Sequence, residues 1–405
     1  LTVFKSFPEV GLKIDDVVLV NKMAGNPSDT LAYINECVVS VDIMKFLKEN
    51  QIIIDECKLN GGYVNLFTDK LGKTNIDIFP PAAADTTTEE SSEFDYGIDL
   101  TSMKINDVDV KYTDLTQGMY ADINGLNMSA KAKVRGENIA GNVNASLRDI
   151  AYQQTTDSLS MAVKLNDLKL EGDADMNGDD IKADIEVSSS ILFYENAGQI
   201  AELNSLDFSF KGDVNNYDII KGNVEMAVGD LSFSMDDELL VNKADIRAIA
   251  PLNATLSTMD VELGASQLAL NNIFVDMIGK VAMPENDINI DMNVKTNTIM
   301  MEELIGLIPA SMREELLEGI DVKGELKLAA DIKGVYNENT MPVVNAELEY
   351  NKGMVSMPEM LPYPITNLNT SIKADIDLNN KSDVYVNHIN ANMSNSSLSF
   401  SGTIK

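Results

Sequence analysis

The sequence predicts a mainly β protein: one elongated, twisted, mostly antiparallel sheet with few helices. Three observations predict it. Apolar and polar residues alternate with period two over most of the 405 residues, the pattern of strands with one wet and one apolar face. Turn dipeptides separate the alternating runs, as at Asn177-Gly178, Asn215-Asn216 and Asn379-Asn380. Leu168-Lys-Leu-Glu-Gly-Asp173 also returns as Phe208-Ser-Phe-Lys-Gly-Asp213, with Gly324-Glu-Leu-Lys-Leu328 a looser echo. That recurrence suggests a serial array of hairpins whose contacts are mainly with neighbours.

Residues 1–79 alternate as strands with one helical connection, Asp42 to Glu49, for which Asp42 suits the N-cap. The segment 80–94 is polar, acidic and of low complexity, and reads as a linker or long excursion. From 95 to 405 the strands resume. Leu168, Leu170, Ile185, Leu206, Phe208, Phe210, Met226, Leu231, Phe233, Met235, Leu326, Leu328, Ile372 and Ile376 fall at apolar positions of these runs and are the candidate lining of an apolar surface. Within this part, residues 299–318 read as a helical hairpin. Met301, Leu304, Ile305 and Ile308 form a stripe expected to dock on the sheet, with Thr298 a candidate cap. Pro309 breaks the run, and Ser311-Met-Arg-Glu314 has the spacing of a capping box for the second helix.

Composition narrows the function. Thirty-one Lys and Arg stand against 64 Asp and Glu, a net charge of −33. No nucleic-acid partner is expected, because phosphate binding requires clustered cations. No run reaches the length of a transmembrane helix, and no signal peptide is recognisable. Leu1 and Lys405 both lie inside strand-like patterns, so the chain is expected to be a segment of a longer one. Catalytic motifs are missing: no glycine-rich phosphate loop, no metalloprotease helix and no nucleophile elbow. His388 is the single histidine and sits in strand register with Val384 and Val386, so it reads as a core or edge residue. The chain is therefore not expected to be an enzyme.

Asp173-Ala-Asp-Met-Asn-Gly178 with Asp184 matches part of a calcium loop. The flanks alternate as strands, however, and Asn-Gly is a favoured hairpin turn. Neither a metal nor another cofactor is expected. Cys37 and Cys57 should face each other if their strands pair about Leu47. They are either two buried thiols or a cross-strand disulfide of an oxidising compartment. The chain has 21 methionines. Those in strand patterns, Met226, Met235, Met259, Met292 and Met354, either fill gaps in a core or line a groove for flexible acyl chains.

Several stretches carry a family resemblance. Lys5-Ser-Phe-Pro-Glu-Val-Gly-Leu-Lys-Ile-Asp-Asp-Val-Val-Leu-Val20 resembles the opening of bacterial AsmA-like proteins, especially those of Bacteroidetes. Asp29-Thr-Leu-Ala32, Ser40 to Lys48, Ile52 to Asn65 and Gly72 to Asp77 continue it. Met341 to Glu349 and Leu361 to Asn369 resemble the family's later region. The resemblance covers both ends of the chain, and none of its motifs is catalytic. The family is similar to TamB-like bridge lipid-transfer proteins of Gram-negative bacteria. It implies a U-shaped repeating β-groove in the periplasm, tethered to the inner membrane by a helix that this sequence lacks. The implied role is non-enzymatic binding and transfer of phospholipid or another acyl lipid, in outer-envelope lipid transport or homeostasis and outer-membrane biogenesis. Outer-membrane assembly or other envelope proteins are the implied protein partners. The alternative is a structural scaffold assisting outer-membrane protein assembly, with its sheet faces packed dry.

Overall fold

The alternating runs form strands. The computed structural model describes residues 9–49, 51–76, 97–156, 160–284 and 287–404. The chain is mainly β; the described residues form 22 strands of one mostly antiparallel sheet and three short helices. The expected segment 80–94 lies outside the described residues. The chain divides into two units, 1–211 and 212–405.

The first unit holds β1 (Glu9–Val20), β2 (Thr30–Asp42), α1 (Ile43–Glu49), β3 (Gln51–Thr68), β4 (Gly97–Asp114), β5 (Met119–Arg135), β6 (Asn138–Thr155), β7 (Ser160–Asn177), β8 (Asp180–Ser189), β9 (Ile191–Asn196) and β10 (Gln199–Leu203). β11 (Ser205–Asn215) carries the chain into the second unit. That unit holds β12 (Ile219–Met235), β13 (Glu238–Thr255), β14 (Asp260–Leu270), β15 (Ile273–Ala282), β16 (Ile288–Thr296), β17 (Ile299–Met300), α2 (Met301–Gly306), α3 (Ala310–Leu317), β18 (Asp321–Tyr336), β19 (Val343–Ser356), β20 (Ile365–Ile376), β21 (Asp383–Met393) and β22 (Ser396–Ile404).

In the first unit β1 to β7 pair in chain order, antiparallel except at β3–β4. The β3–β4 pair is parallel over its whole length, from Gln51↔Gly97 to Thr68↔Asp114. A parallel pair needs a crossover connection in place of a tight hairpin turn. β7 faces β8 along Lys169–Asn177 and β9 along Met161–Asn166. In the second unit β12 to β16 pair in order, β16 and β17 both pair with β18, and β18 to β22 continue in order.

Many strands carry an irregularity near their middle, and a residue in left-handed conformation sits there. Asp16, Asp107, Asp167 and Asp230 have φ of 55°, 48°, 50° and 53°. Each is the second of the two central residues of one local pattern: Ile14-Asp-Asp-Val17, Ile105-Asn-Asp-Val108, Leu165-Asn-Asp-Leu168 and Val228-Gly-Asp-Leu231. Asp and Asn tolerate this conformation better than other non-glycine residues. Gly61 and Gly125 take it in β3 and β5, with φ of 63° and 66°.

Backbone amides at or near these points find side chains on the neighbouring strand or its turn. Asp107 N donates to Asn127 Oδ1 at 3.1 Å, and Gly125 N to Asp109 Oδ1 at 2.8 Å. In the second unit Asp230 N donates to Asp245 Oδ1 at 3.1 Å, Asp245 N to Asn271 Oδ1 at 2.8 Å, and Lys352 N to Asn369 Oδ1 at 3.0 Å.

The irregularity resets the alternation. Ile105 pairs with Met128 and Val108 with Leu126. Met128 and Leu126 are two apart and share a face, so Ile105 and Val108, three apart, share it as well. Val228 and Leu231 keep one face in the same way, opposite Ile246 and Ala244.

The short elements partly follow the sequence reading. Lys45 N donates to Asp42 Oδ1 at 3.0 Å, so Asp42 caps α1. The capping box at Ser311 does not form. α3 begins at Ala310 with Pro309 at the N-cap, and Ser311 Oγ instead bonds the Glu238 carboxylate. Proline's fixed φ ends the preceding turn and starts α3 two residues earlier. Thr298 caps no helix, because Ile299 and Met300 pair with Leu326 and Glu325 as β17 before α2 begins.

On the polar face of the first unit, Glu36 bonds Lys13 and Lys58, both at 2.8 Å. These two ammonium groups hold its carboxyl down at about 2, from an ordinary 4.5. A carboxylate with a lowered pKa stabilises the fold above its ordinary value, and that contribution is lost as pH falls toward 2. Glu36→Gln is therefore expected to lower the thermal midpoint at pH 6. The gap to the parent protein should narrow steadily between pH 4.5 and 2; a gap independent of pH would contradict the ion-pair assignment. At the strand irregularities, Asp107→Val is expected to cost about 1–2 kcal/mol in chemical denaturation, because a β-branched residue must adopt the left-handed conformation. Asp107→Gly should cost much less.

Candidate functional site

Strand register assembles the alternating apolar residues into continuous rows. In the first unit one row runs Ile14–Cys37–Leu59–Ile105–Met128–Ala145–Leu170–Val187 across eight strands. The next runs Leu12–Val39–Cys57–Met103–Ala130–Val143–Gly172–Ile185. Beyond the irregularities a third runs Leu19–Ala32–Val64–Val110–Ile123–Ile150–Leu165–Leu192–Leu203. None of these rows contains a charged residue. The row between the first two on the opposite face reads Lys13–Val38–Lys58–Lys104–Ser129–Asn144–Glu171–Glu186.

The apolar face is not sealed. Leu12 is 45% exposed, Ile14 43%, Val39 37%, Ile98 39% and Ile139 41%. Most of its other members are half-buried. Such a face has the chemistry to take up an apolar chain through dispersion and loss of hydration, without oriented polar groups.

Rows of the same kind cross the second unit. Gly222–Leu252–Leu263–Gly279–Met292–Ile332–Val344–Ile376 is one, and Leu328–Leu348–Ile372–Val386 is another. Gly279 has φ 149°, and a Cβ there would lie 2.1 Å from the Asp291 carbonyl oxygen. A side chain is therefore excluded at that position of the row.

The candidate lining residues fall into several places. Leu168, Leu170 and Ile185 belong to the first unit's apolar face, Leu168 opposite Leu147. Leu206, Phe208 and Phe210 share one face of β11 by their spacing, with Phe208 37% exposed. Met226 opposes Ala248, Leu231 opposes Ala244, and Phe233 opposes Val241. Met235 pairs with Glu238 at the end of the hairpin. Leu328, Ile372 and Ile376 lie in the second unit's rows. Leu326 is covered: it is buried with Ile273, Ile299 and Tyr350, and Met301, Leu304 and Leu307 pack against this cluster. Of the expected stripe, Met301 and Leu304 of α2 reach this cluster, joined by Leu307 at the C-cap. Of the strand methionines, Met292 joins a row and Met354 opposes Lys323, whereas Met259 lies in the turn between β13 and β14 with φ 50°.

Cys37 and Cys57 occupy the same apolar face but not opposed positions. Cys37 pairs with Leu59 and Cys57 with Val39, so they are diagonal neighbours two residues out of register. A register irregularity between Ser40 and Val41 contributes to the offset. Both thiols are free.

The Asp173–Asp184 segment is a hairpin closing at Asn177↔Asp180, with φ 59° at Gly178. Among the described residues no group of three or more His, Cys, Asp or Glu side chains is placed to hold a metal ion. His388 opposes Ser371 within the β20–β21 ladder.

Burial, and then the nearby Cys37, push the Cys57 thiol up from its ordinary value. Less thiolate is then present at pH 8, so Cys57 is expected to alkylate more slowly than an unhindered cysteine. Both sites should react without reductant, as read by intact mass; two protected cysteines that become reactive only after reduction would contradict the free-thiol state. No protein-family model, curated protein or solved structure matches this chain.

Proposed function

We propose that this protein is a non-enzymatic lipid-binding and transfer conduit of the AsmA-like kind, acting in the periplasm in outer-envelope lipid transport or homeostasis. The observation that carries this reading is the set of uncharged rows crossing eight or nine strands of the first unit while several members stay more than one-third exposed. A contiguous apolar surface on a highly charged protein marks a place where something apolar binds. Mid-strand bulges bend the strands that carry them, which supports a U-shaped cross-section with the apolar face inward. Acyl chains would lie along the rows, with burial worth about 25 cal/mol per Å². Head groups would remain at the wet margin.

The carboxylate-rich opposite face would keep the conduit soluble. Outer-membrane assembly or envelope proteins would be its partners, and the inner membrane its point of attachment. A scaffold with dry, filled sheet faces fits the exposed rows less well.

Native mass spectrometry of the purified protein is expected to find co-purified phospholipid or another acyl lipid. Leu170→Asp, and separately the triple change of Leu206, Phe208 and Phe210 to Asp, should each strip most of it while circular dichroism stays β-rich. Unchanged lipid content in both folded variants would overturn the proposal.

A further inference from the structure

Five successive turns lie at one end of the second unit's strands: β11–β12, β13–β14, β15–β16, β18–β19 and β20–β21. Each carries a large apolar side chain. Tyr217, Leu256, Met259, Met283, Tyr336 and Leu378 are 44–69% exposed there.

Adjacent turns are tied to one another. Leu256 N donates to the Asp218 carbonyl at 2.9 Å, and Met283 N to the Met259 carbonyl at 3.1 Å. Asn337 Nδ2 donates to Asp287 Oδ1 at 2.9 Å, and Asn379 Nδ2 to the Met341 carbonyl at 2.7 Å. Each of these bonds joins one turn to the next, so the rim is continuous.

Two of its apolar residues are kept against backbone preference. Tyr217 and Met259 have φ of 51° and 50°, a region that favours Gly, Asn or Asp. The first unit makes the turn of Met259 with glycine. In Leu115-Thr-Gln-Gly118, Gly118 has φ 62°, and Thr155 N donates to its carbonyl as Met283 N does to that of Met259. The turn itself therefore does not require Met259. Residues held in an unfavourable conformation cluster where function retains them.

The rim continues the apolar face. The row Ile220–Ala254–Val261–Val281–Ile290–Gly334 contains no charged residue. It lies two residues along each strand from the row through Leu252, Leu263, Gly279, Met292 and Ile332. Leu256, Met259, Met283 and Tyr336 are two residues further again, and Leu378 follows Ile376 by two. Strand periodicity places them at the lip of the same face.

Charge at this rim is engaged. Asp218 accepts from Ser257 N at 2.7 Å, Asp377 from Asn379 N at 3.0 Å, and Asp260 lies 2.7 Å from Lys280. The opposite end of the strands instead carries Asp236-Asp237 at one turn and Glu314, Glu315 and Glu318 around α3. Turns on alternate strand pairs stand about 10 Å apart, two strand spacings. They form prongs, which a fluid interface can surround and a folded partner would have to match one by one. Tyrosine and long apolar side chains suit the bilayer interface. An anionic surface would repel a chain of net charge −33.

We propose that this rim is a lip that seats on a neutral, zwitterionic bilayer surface and lets acyl chains pass between the bilayer and the apolar rows; the second role rests on the conduit reading. The test mixes the full chain with phosphatidylcholine vesicles and reads binding by flotation. Saturable binding is expected, weakened tenfold or more by Leu256→Ser, Met283→Ser and Leu378→Ser together. Met259→Gly should raise the thermal midpoint, because glycine accepts the left-handed conformation, yet weaken vesicle binding about threefold. Leu316→Ser, at an exposed position of α3, should leave binding unchanged. So should Leu170→Asp, which alters an acyl-chain row and not the rim, and thereby separates failure of the lip from failure of the conduit. Absence of vesicle binding, binding unaltered in the folded triple variant, loss of binding in Leu316→Ser or Leu170→Asp, or a requirement for anionic lipid would each overturn the proposal.

Discussion

A face can stay apolar across long strands only if the alternation survives every irregularity, and left-handed residues at mid-strand meet that constraint here. With a side-chain period of two, a single extra residue turns all that follows to the opposite face. These strands reach 18 residues and carry such extra residues near their centres. The chain compensates in its sequence: apolar residues flank the irregularity three apart instead of two, as at Ile105 and Val108 or Val228 and Leu231. Asp, Asn or Gly accepts the positive φ between them, and a neighbouring Asp or Asn side chain takes up the released amide. Local backbone conformation thus fixes which side of the sheet is greasy.

Everything attributed to the apolar face depends on that compensation. The row through Leu59, Ile105 and Met128 and the row through Val64, Val110 and Ile123 lie on opposite sides of the irregularities yet on one face of the sheet. The parallel join of β3 to β4 preserves both rows, since Leu59 meets Ile105 and Val64 meets Val110. The polar face gains the complementary set, including the Lys13–Glu36–Lys58 cluster. In the second unit Met301 and Leu304 of α2 pack against the cluster of Leu326 and Tyr350, beside register irregularities between Lys323 and Glu325 and between Tyr350 and Gly353.

Alternation made the strands legible in the sequence, and positions such as Leu168, Leu170 and Ile185 could be assigned to an apolar face from it. The parallel β3–β4 pair was not legible, because period-two patterning is the same in parallel and antiparallel strands. Cys37 and Cys57 are offset by two residues; the irregularity between Ser40 and Val41, which leaves no mark in the hydrophobic pattern, supplies one of them, and the connection through α1 the other. Ser311 has the spacing of a capping box, but Pro309 takes the N-cap position, a competition that local spacing does not resolve. The mid-strand signature was present all along in Ile14-Asp-Asp-Val17 and Leu165-Asn-Asp-Leu168. It reads as an interruption of alternation until register shows that the face continues through it.

The claim that one face of this sheet carries acyl chains is tested most directly by position-specific photo-crosslinking. A photoreactive residue placed at Val143 or Leu170 on the apolar face, or at Asn144 or Glu171 on the opposite face, samples two surfaces of the same strands. Lipid adducts in the purified protein are expected at Val143 and Leu170 and not at Asn144 and Glu171. Adducts of equal yield on both faces, or none at Val143 and Leu170 in folded protein, would contradict it.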